Sequence, residues 1–504
     1  MQVATRVAFN TIVLYAKIIV SLAISLVSVP LVLKALGASD YGLYNLIAGV
    51  IAMLSFLNSA MTVSSQRYMS VAMGTNDKEH VNAVYNTSFL LHLILGLGIV
   101  VVLEIGTLFI GKLNIEADRL NVAFIIYQFL ILITFLRAFS VPFDAIINAY
   151  EDMIVFSVIE LIDSLLMLTL AIGLQYVGSD KLIVYGLGVL LIAVLTFLMK
   201  YGWTYFAYKC YRIKISKLKK VTYFKEMLGF AGWNLFGGLA VVGRNQGVAV
   251  IINLFLGTVV NAAYGIANQI NGALSQFSAT FQKAINPQLM KSEGMNNRDR
   301  LLRISYISSK FSVLALCFFA VPLIIVMPDI LHIWLDDDIP EYTMELSRCI
   351  LLMTIVYQYS AGIMSAIQAG GNIKTYQIVM GSILLLNIPL TYLIIKEEYP
   401  VYFATLGFVL LEIISLFVRL GMARKLVQMP SSAYFKNVIK PTFMIIIPSI
   451  MFCLIPNIMI ESLWPRLIVT VSIYAVAFIL LLWAVAFDDL QRKQILKKVK
   501  IWKK

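Results

Sequence analysis

A chain of 504 residues that is 60% hydrophobic and only 13% charged, with mean hydropathy +0.86, is not an ordinary soluble globular protein. Its apolar residues gather in runs of 18 to 28 between short polar breaks, each long enough to cross a hydrocarbon core of about 30 Å as a helix. Forty Lys and Arg against 27 Asp and Glu give a formal net charge of +13, which topology and anionic lipid head groups explain without nucleic acid.

Fourteen spans are predicted, near 9–33, 42–66, 84–110, 120–145, 154–177, 182–207, 228–254, 262–284, 304–327, 346–369, 375–395, 401–420, 441–460 and 466–487. The expected fold is therefore an all-α polytopic membrane protein. With the N-terminus inside, the inner segments 67–82, 208–225, 285–303, 421–440 and 488–504 carry 2, 7, 4, 4 and 7 basic residues. The outer segment 328–345 carries none and six acids, among them Asp336, Asp337 and Asp338, so both termini are expected in the cytoplasm. Cys210, Cys317, Cys349 and Cys453 form no CxxC pair and read as small apolar residues. The first apolar run is a full span rather than a short h-region, and reads as an uncleaved signal anchor.

The stretch Leu36–Asn82 returns later in the chain. Gly37 and Gly257, Tyr41-Gly42 and the later Tyr264-Gly265, and the turns Gly74-Thr-Asn-Asp-Lys-Glu-His and Gly294-Met-Asn-Asn-Arg-Asp-Arg recur at or near an offset of 220 residues. Lys200-Tyr201-Gly202 falls on Arg419-Leu420-Gly421 at 219. This predicts two copies of one six-helix unit plus a C-terminal pair. The expected divisions are an N-lobe at 1–207, a basic linker at 208–227, a C-lobe at 228–420, a helix pair at 421–487 and a basic tail at 488–504.

In span 1, Asn10, Lys17, Ser21 and Ser28 fall within an arc of roughly 40° at 100° per residue. A lysine at that depth either faces a wetted, protein-lined space or snorkels to the interface. Ser55, Asn58, Thr62 and Ser65 make a similar stripe in span 2, as do Asn268, Asn271, Ser275, Ser278 and Gln282 in span 8. Singly such residues bond packed helices together; stripes in both halves point to a shared aqueous cavity. Arg67, ending span 2, is a substrate candidate or an inner-face anchor.

Arg137 in span 4 and Glu160 in span 5 lie at matching depth and are expected to pair, either structurally or functionally. Their counterparts, Tyr357 and Met380, lose both charges together. Asp163, one turn beyond Glu160, leaves a carboxylate over, so Glu160 and Asp163 are candidates for proton or Na⁺ coupling. Span 7 surrounds Arg244-Asn245-Gln246 with Gly237, Gly238, Gly243 and Gly247, which predicts a bent or opened helix. Arg244 is the leading candidate for a substrate contact, with helix packing as its alternative. Asn245 and Asn268 join it, with Lys310 and Arg348 as weaker candidates that interface snorkelling explains equally well. Glu104 and Glu412 have no partner visible in the sequence. Spans 13 and 14 have no counterpart in the repeat and suit packing or a lipid-facing groove.

No GxxxxGK[ST] loop, HExxH motif or Cys/His cluster is present, so neither a nucleotide, a metal nor another cofactor is expected, and the chain does not read as an enzyme. LGASDYGLYNLIAG, Arg67-Tyr68 followed by GTNDKE, LGTVVNAAYGIANQI and NPQLMKSEG resemble the polysaccharide-transport branch of the multidrug/oligosaccharidyl-lipid/polysaccharide (MOP) flippase superfamily. The resemblance implies two six-helix lobes around a central cavity and alternating-access transport of undecaprenyl-pyrophosphate-linked oligosaccharide, the repeat unit of O-antigen, capsule or exopolysaccharide. It also implies a bacterial cytoplasmic membrane. The partners would be that lipid-linked oligosaccharide, membrane lipids, and polysaccharide polymerase or glycosyltransferases. Cationic cavity residues are expected of such proteins, and Lys17, Arg244, Arg67 and Arg137 occupy suitable spans. The rival within the superfamily is an ion-coupled antiporter of drugs or organic cations, for which Glu160 and Asp163 offer an anionic pocket and which Lys17 and Arg244 would repel.

Overall fold

Helix length is the first constraint on how the chain is arranged. The computed structural model describes residues 3–52, 55–111, 115–208, 223–336, 338–487 and 492, which are helical nearly throughout, with no strand among the described residues. Most of the basic linker and nearly all of the tail lie outside them, as do Cys210 and Asp337. The helices of the first half are α1 (Val3–Ala52), α2 (Ser55–Gly74), α3 (Lys78–Ile110), α4 (Leu120–Tyr150), α5 (Met153–Gly173) and α6 (Lys181–Ala207). Next come α7 (Phe224–Gly294), α8 (Arg298–Ile325), α9 (Met327–Leu335), α10 (Thr343–Tyr359) and α11 (Ala361–Gly370). The remainder are α12 (Lys374–Leu385), α13 (Asn387–Lys396), α14 (Tyr402–Leu426), α15 (Ser431–Tyr434), α16 (Lys440–Met459) and α17 (Leu463–Leu481).

The 71 residues of α7 would extend about 107 Å at 1.5 Å each, more than twice the thickness of a bilayer with its head groups. The helix is interrupted at Gly257 (φ 81°, ψ −176°), as α1 is at Gly37 (φ 79°, ψ 167°). Those dihedrals are essentially closed to residues with a Cβ, while the space around both glycines is open. The backbone conformation, not crowding, demands glycine there. Asn76 and Asn296 share positive φ at 56° and 52°, as do Glu151 and Gly371 at 62° and 85°, again 220 residues apart. The repetition read in side chains is thus also written in the backbone.

Among the described residues eleven helices are long and apolar enough to cross a membrane, or twelve if α10 and α11, bent by 45° at Ser360, form one span. The expected count of fourteen is not confirmed; α1 and α7 are each interrupted once, at Gly37 and Gly257. Large apolar side chains such as Leu26, Leu108 and Leu254 are at least three-quarters exposed, as lipid-facing residues are.

The described chain forms two compact units: residues 1–238 with 286–297, and residues 239–285 with 298–504. In the first, one core packs Ile47, Ala123, Ile126, Ile131, Leu174 and Leu182; another packs Met69, Tyr85, Phe143, Ile146 and Met227. One end of this unit is tied by Arg119, whose guanidinium binds Asp40 (Nε to Oδ1, 2.9 Å) and Asp180. The hydrogen bond to Asp40 is the main reason its pKa is raised. In the second unit, Val248, Ile252, Ala263, Leu346 and Ile350 form the core. The C-terminal pair is fixed to α8 and α9 by Tyr474 donating to Cys317 O (2.7 Å) and by Arg466 Nε on Asp329 Oδ2 (2.9 Å).

One sequence expectation fails here. Around Arg244, α7 stays helical, and Gly257 is its only interruption. A Cβ at Gly247 would lie 2.8 Å from Ile388 and one at Gly243 3.4 Å from Leu385, so these glycines admit close helix packing rather than unwinding. Helix breaks in the second unit lie instead at Ser360 and between Leu385 and Asn387, where Asn387 Nδ2 turns back to Leu384 O (2.7 Å).

Candidate functional site

In the first unit the polar stripe of α1 lies against α5. Ser21 and Ser164 share a hydrogen bond at 3.3 Å, and Lys17 Nζ meets Glu160 Oε2 at 3.3 Å. On its other side Glu160 reaches Lys200 Nζ of α6 (3.7 Å), which binds Asp144 of α4 more closely (2.9 Å). A chain of alternating charge, Lys17–Glu160–Lys200–Asp144, therefore crosses four helices. The Arg137–Glu160 pair expected from depth is replaced by these two lysines, because α1 and α6 flank α5. The charge of Arg137 instead acts on Asp163 and on Tyr44. Three cations (Lys17, Arg137, Lys200) face three carboxylates (Asp144, Glu160, Asp163), so this cluster is balanced. Lys17 is held by a partner rather than extended toward an interface. Arg67 is buried with its guanidinium 4.5 Å from the Tyr68 ring and 5.0 Å from that of Phe230, a packed cation–π arrangement.

The second unit differs. Arg244 is half-buried, and its guanidinium takes the neighbouring amide, with Nε and Nη2 on Asn245 Oδ1 at 3.0 and 2.9 Å, while Nη1 lies 3.9 Å from Met353 Sδ. All three contacts are with neutral atoms. Arg244 lines a narrow cleft with Met353, Asn387, Phe408, Glu412 and Ser415. Glu412 is ion-paired with Arg419 on the next turns of α14, both being nearly inaccessible, and Arg419 also donates to Ser360 Oγ at 3.0 Å. The buried Asn387 Oδ1, at the break before α13, accepts no hydrogen bond. Arg419, behind the lining, already neutralises Glu412, so the charge of Arg244 is left in excess among these three groups.

The other candidates sit elsewhere. Asn268 Nδ2 donates to Tyr264 O of its own helix (2.9 Å). Lys310 Nζ caps Ala486 O (2.9 Å), and Arg348 Nε caps Ile324 O at the end of α8 (2.9 Å). Glu104, unpartnered in the sequence, accepts from Gln128 (3.2 Å) and Thr107 (3.3 Å). Sequence reasoning missed Lys200, Asp144 and Arg419 as site residues. One signal was present: Lys200 and Arg419 are repeat counterparts, and each holds a carboxylate. Among the described residues no group of three or more His, Cys, Asp or Glu side chains is placed to hold a metal ion.

A duplicated all-helical membrane protein, with charges at membrane depth and interrupted helices, has the build of a secondary transporter. The sequence profile of the polysaccharide biosynthesis protein family matches residues 7–293, and that of the MatE family residues 236–393. The chain belongs to the polysaccharide biosynthesis protein family, within the MOP superfamily of transporters, which are not enzymes. No curated protein matches the chain. Among solved structures, a MATE transporter in its bent conformation is similar, with TM-score 0.74 at 16% identity over 87% of this chain and 97% of that one. A MOP superfamily transporter from Pyrococcus furiosus Vc1, described by the reverse polarity of its binding pocket, gives TM-score 0.72 at 15% identity, covering 85% and 96%. An outward-facing multidrug resistance MATE transporter gives 0.72 at 16% identity, covering 85% and 96%. At such identities the likeness establishes the fold.

Proposed function

We propose that this protein moves a lipid-linked oligosaccharide with a diphosphate head group from the inner to the outer leaflet of a bacterial cytoplasmic membrane, by alternating access. Undecaprenyl pyrophosphate is the expected carrier. The observation that carries the reading is the positive excess around Arg244, whose guanidinium bonds, among the described residues, to an amide and a thioether. An incoming phosphate offers a far stronger acceptor, with bidentate geometry suited to a guanidinium. The match of the polysaccharide biosynthesis profile over residues 7–293 supports the same cargo class. Lys17, Arg67 and Arg137 are proposed as secondary cargo contacts of the first unit, and Asn245 as the group that holds Arg244 ready. The distribution of Lys and Arg supports a cytoplasmic location for both termini.

A second reading rests on the first unit, where Glu160 keeps a side-chain exposure of 35% beside Asp163. These carboxylates suit proton or Na⁺ coupling to the same export, or binding of an organic cation. The two readings separate in purified protein reconstituted into liposomes. Flipping of a defined polyprenyl-diphosphate oligosaccharide, with no ion-driven uptake of ethidium, supports export. Ethidium transport without oligosaccharide flipping overturns it in favour of antiport.

A further inference from the structure

At the far end of α4 from Arg119, the chain turns at Glu151. This residue is 2% exposed and adopts the left-handed conformation (φ 62°), which is disfavoured for a residue with a Cβ. Its repeat counterpart, 151 + 220, is Gly371, which adopts the same region at no steric cost. The first copy thus places a carboxylate where the fold asks for glycine. That carboxylate receives Lys291 Nζ on Oε1 and Gln288 Nε2 on Oε2 (2.6 Å), and Arg6 Nε lies 3.4 Å from Oε2. Asn10 Nδ2 donates to Glu151 O (3.2 Å), and Arg6 Nη2 donates to Tyr150 O (2.6 Å).

Lys291 and Gln288 belong to residues 286–297, which pack within the first unit although the chain on both sides, Ile285 and Arg298, belongs to the second. The same segment crosses the end of α2 at backbone distance. A Cβ on Gly294 would lie 2.0 Å from Val71 O, and one on Gly74 2.3 Å from Lys291 O. The crossing residues are themselves repeat counterparts. The ionic node is not: the counterparts of Lys291 and Gln288 are Val71 and Tyr68. The second copy of the fold is built without such a node, so folding the repeat does not require it.

We propose that Glu151, Lys291, Gln288 and the Gly74–Gly294 crossing form a releasable latch, by which residues 286–297 dock on the first unit and leave it during the transport cycle. A polar node at a chain corner, with the Arg6 side chain 41% exposed, is the kind of contact that water can replace when the segment departs. The latch rests on the alternating-access reading proposed above, but not on which cargo is carried.

The test is thiol labelling of the full-length protein in liposomes, with the four native cysteines replaced by alanine and Ser292→Cys as the reporter. Ser292 is inaccessible while the segment is docked. With N-ethylmaleimide as probe, the reporter should label slowly and to completion in folded protein. Glu151→Gln and Gly294→Ala should each raise that rate at least about tenfold, since a latch held less tightly by 1.4 kcal/mol opens tenfold more often. Lys291→Gln serves where Glu151→Gln does not fold. No labelling short of denaturation, or rates unchanged in the variants, overturns the latch. So does an equal acceleration at an Ala123→Cys reporter in the core, which marks general loosening.

Discussion

Replacing Arg244 by glutamine tests the proposed transport role at its most exposed point. In this structure the guanidinium contacts Asn245 Oδ1 and Met353 Sδ, so its removal leaves no carboxylate bound to it stranded. The Glu412–Arg419 pair next to it remains intact. The cost to the fold is then that of ordinary hydrogen bonds, about 1 kcal/mol. A charge-assisted hydrogen bond from arginine to a phosphate is worth about 1.5–3 kcal/mol, so the diphosphate cargo should bind about 10- to 150-fold more weakly. The assay is protection of a fluorescent polyprenyl-diphosphate oligosaccharide from dithionite in proteoliposomes, at cargo concentrations well below saturation. Arg244→Lys should retain more activity than Arg244→Gln, because it keeps the charge and loses only the fork. A flipping rate in Arg244→Gln within twofold of the unaltered protein, at equal insertion and melting temperature, would refute the assignment of Arg244 to the cargo.

Three further outcomes follow from geometry already described. Glu412→Leu or Arg419→Met alone leaves an uncompensated buried charge and should cost about 3–5 kcal/mol, whereas the double variant should recover most of that; a denaturation cycle measures the difference. Burial would raise the Asp180 carboxyl, but the backbone N–H groups of Ile183 and Leu182 together with Arg119 outweigh it and hold the pKa below the ordinary value. That stabilisation is complete above about pH 4 and is lost as pH falls through the depressed folded value, so the acid-side decline in melting temperature should shrink in Asp180→Asn. Gly257→Ala places a Cβ at φ 81° and ψ −176° and should destabilise the protein by about 1–3 kcal/mol, read as a lower melting temperature; Gly265→Ala, with open space around it and no such backbone, should not.

Much of the scaffold was legible because the duplication carries two independent copies of each demand. Gly37 and Gly257, or Asn76 and Asn296, occur together because one backbone conformation had to be kept twice. The site was legible only as a set of residues at suitable depth. Depth matched Arg137 to Glu160, but depth says nothing about which way a helix is turned or which helix lies beside it. The true partners of Glu160 come from α1 and α6, 143 and 40 residues away in the chain. The glycines beside Arg244 misled for a related reason, since glycine serves both an opened helix and a tightly packed one. Only the positions of Ile388 and Leu385 decide between them. Lys310 and Arg348 meet backbone carbonyls of Ala486 and Ile324, partners that depth in the sequence could not name.

The bond between Lys17 and Glu160 also sets a timetable for biogenesis. Lysine near the centre of a membrane helix costs about 2.5–3.5 kcal/mol on insertion scales. Lys17 emerges from the ribosome 143 residues ahead of its counter-ion. At about 5–20 residues per second, that is a wait of about 7–30 s. During that interval the apolar residues around Lys17, which favour insertion by about 0.3–0.6 kcal/mol each, have to offset the lysine unaided, and the ion pair adds its contribution once α5 has been made.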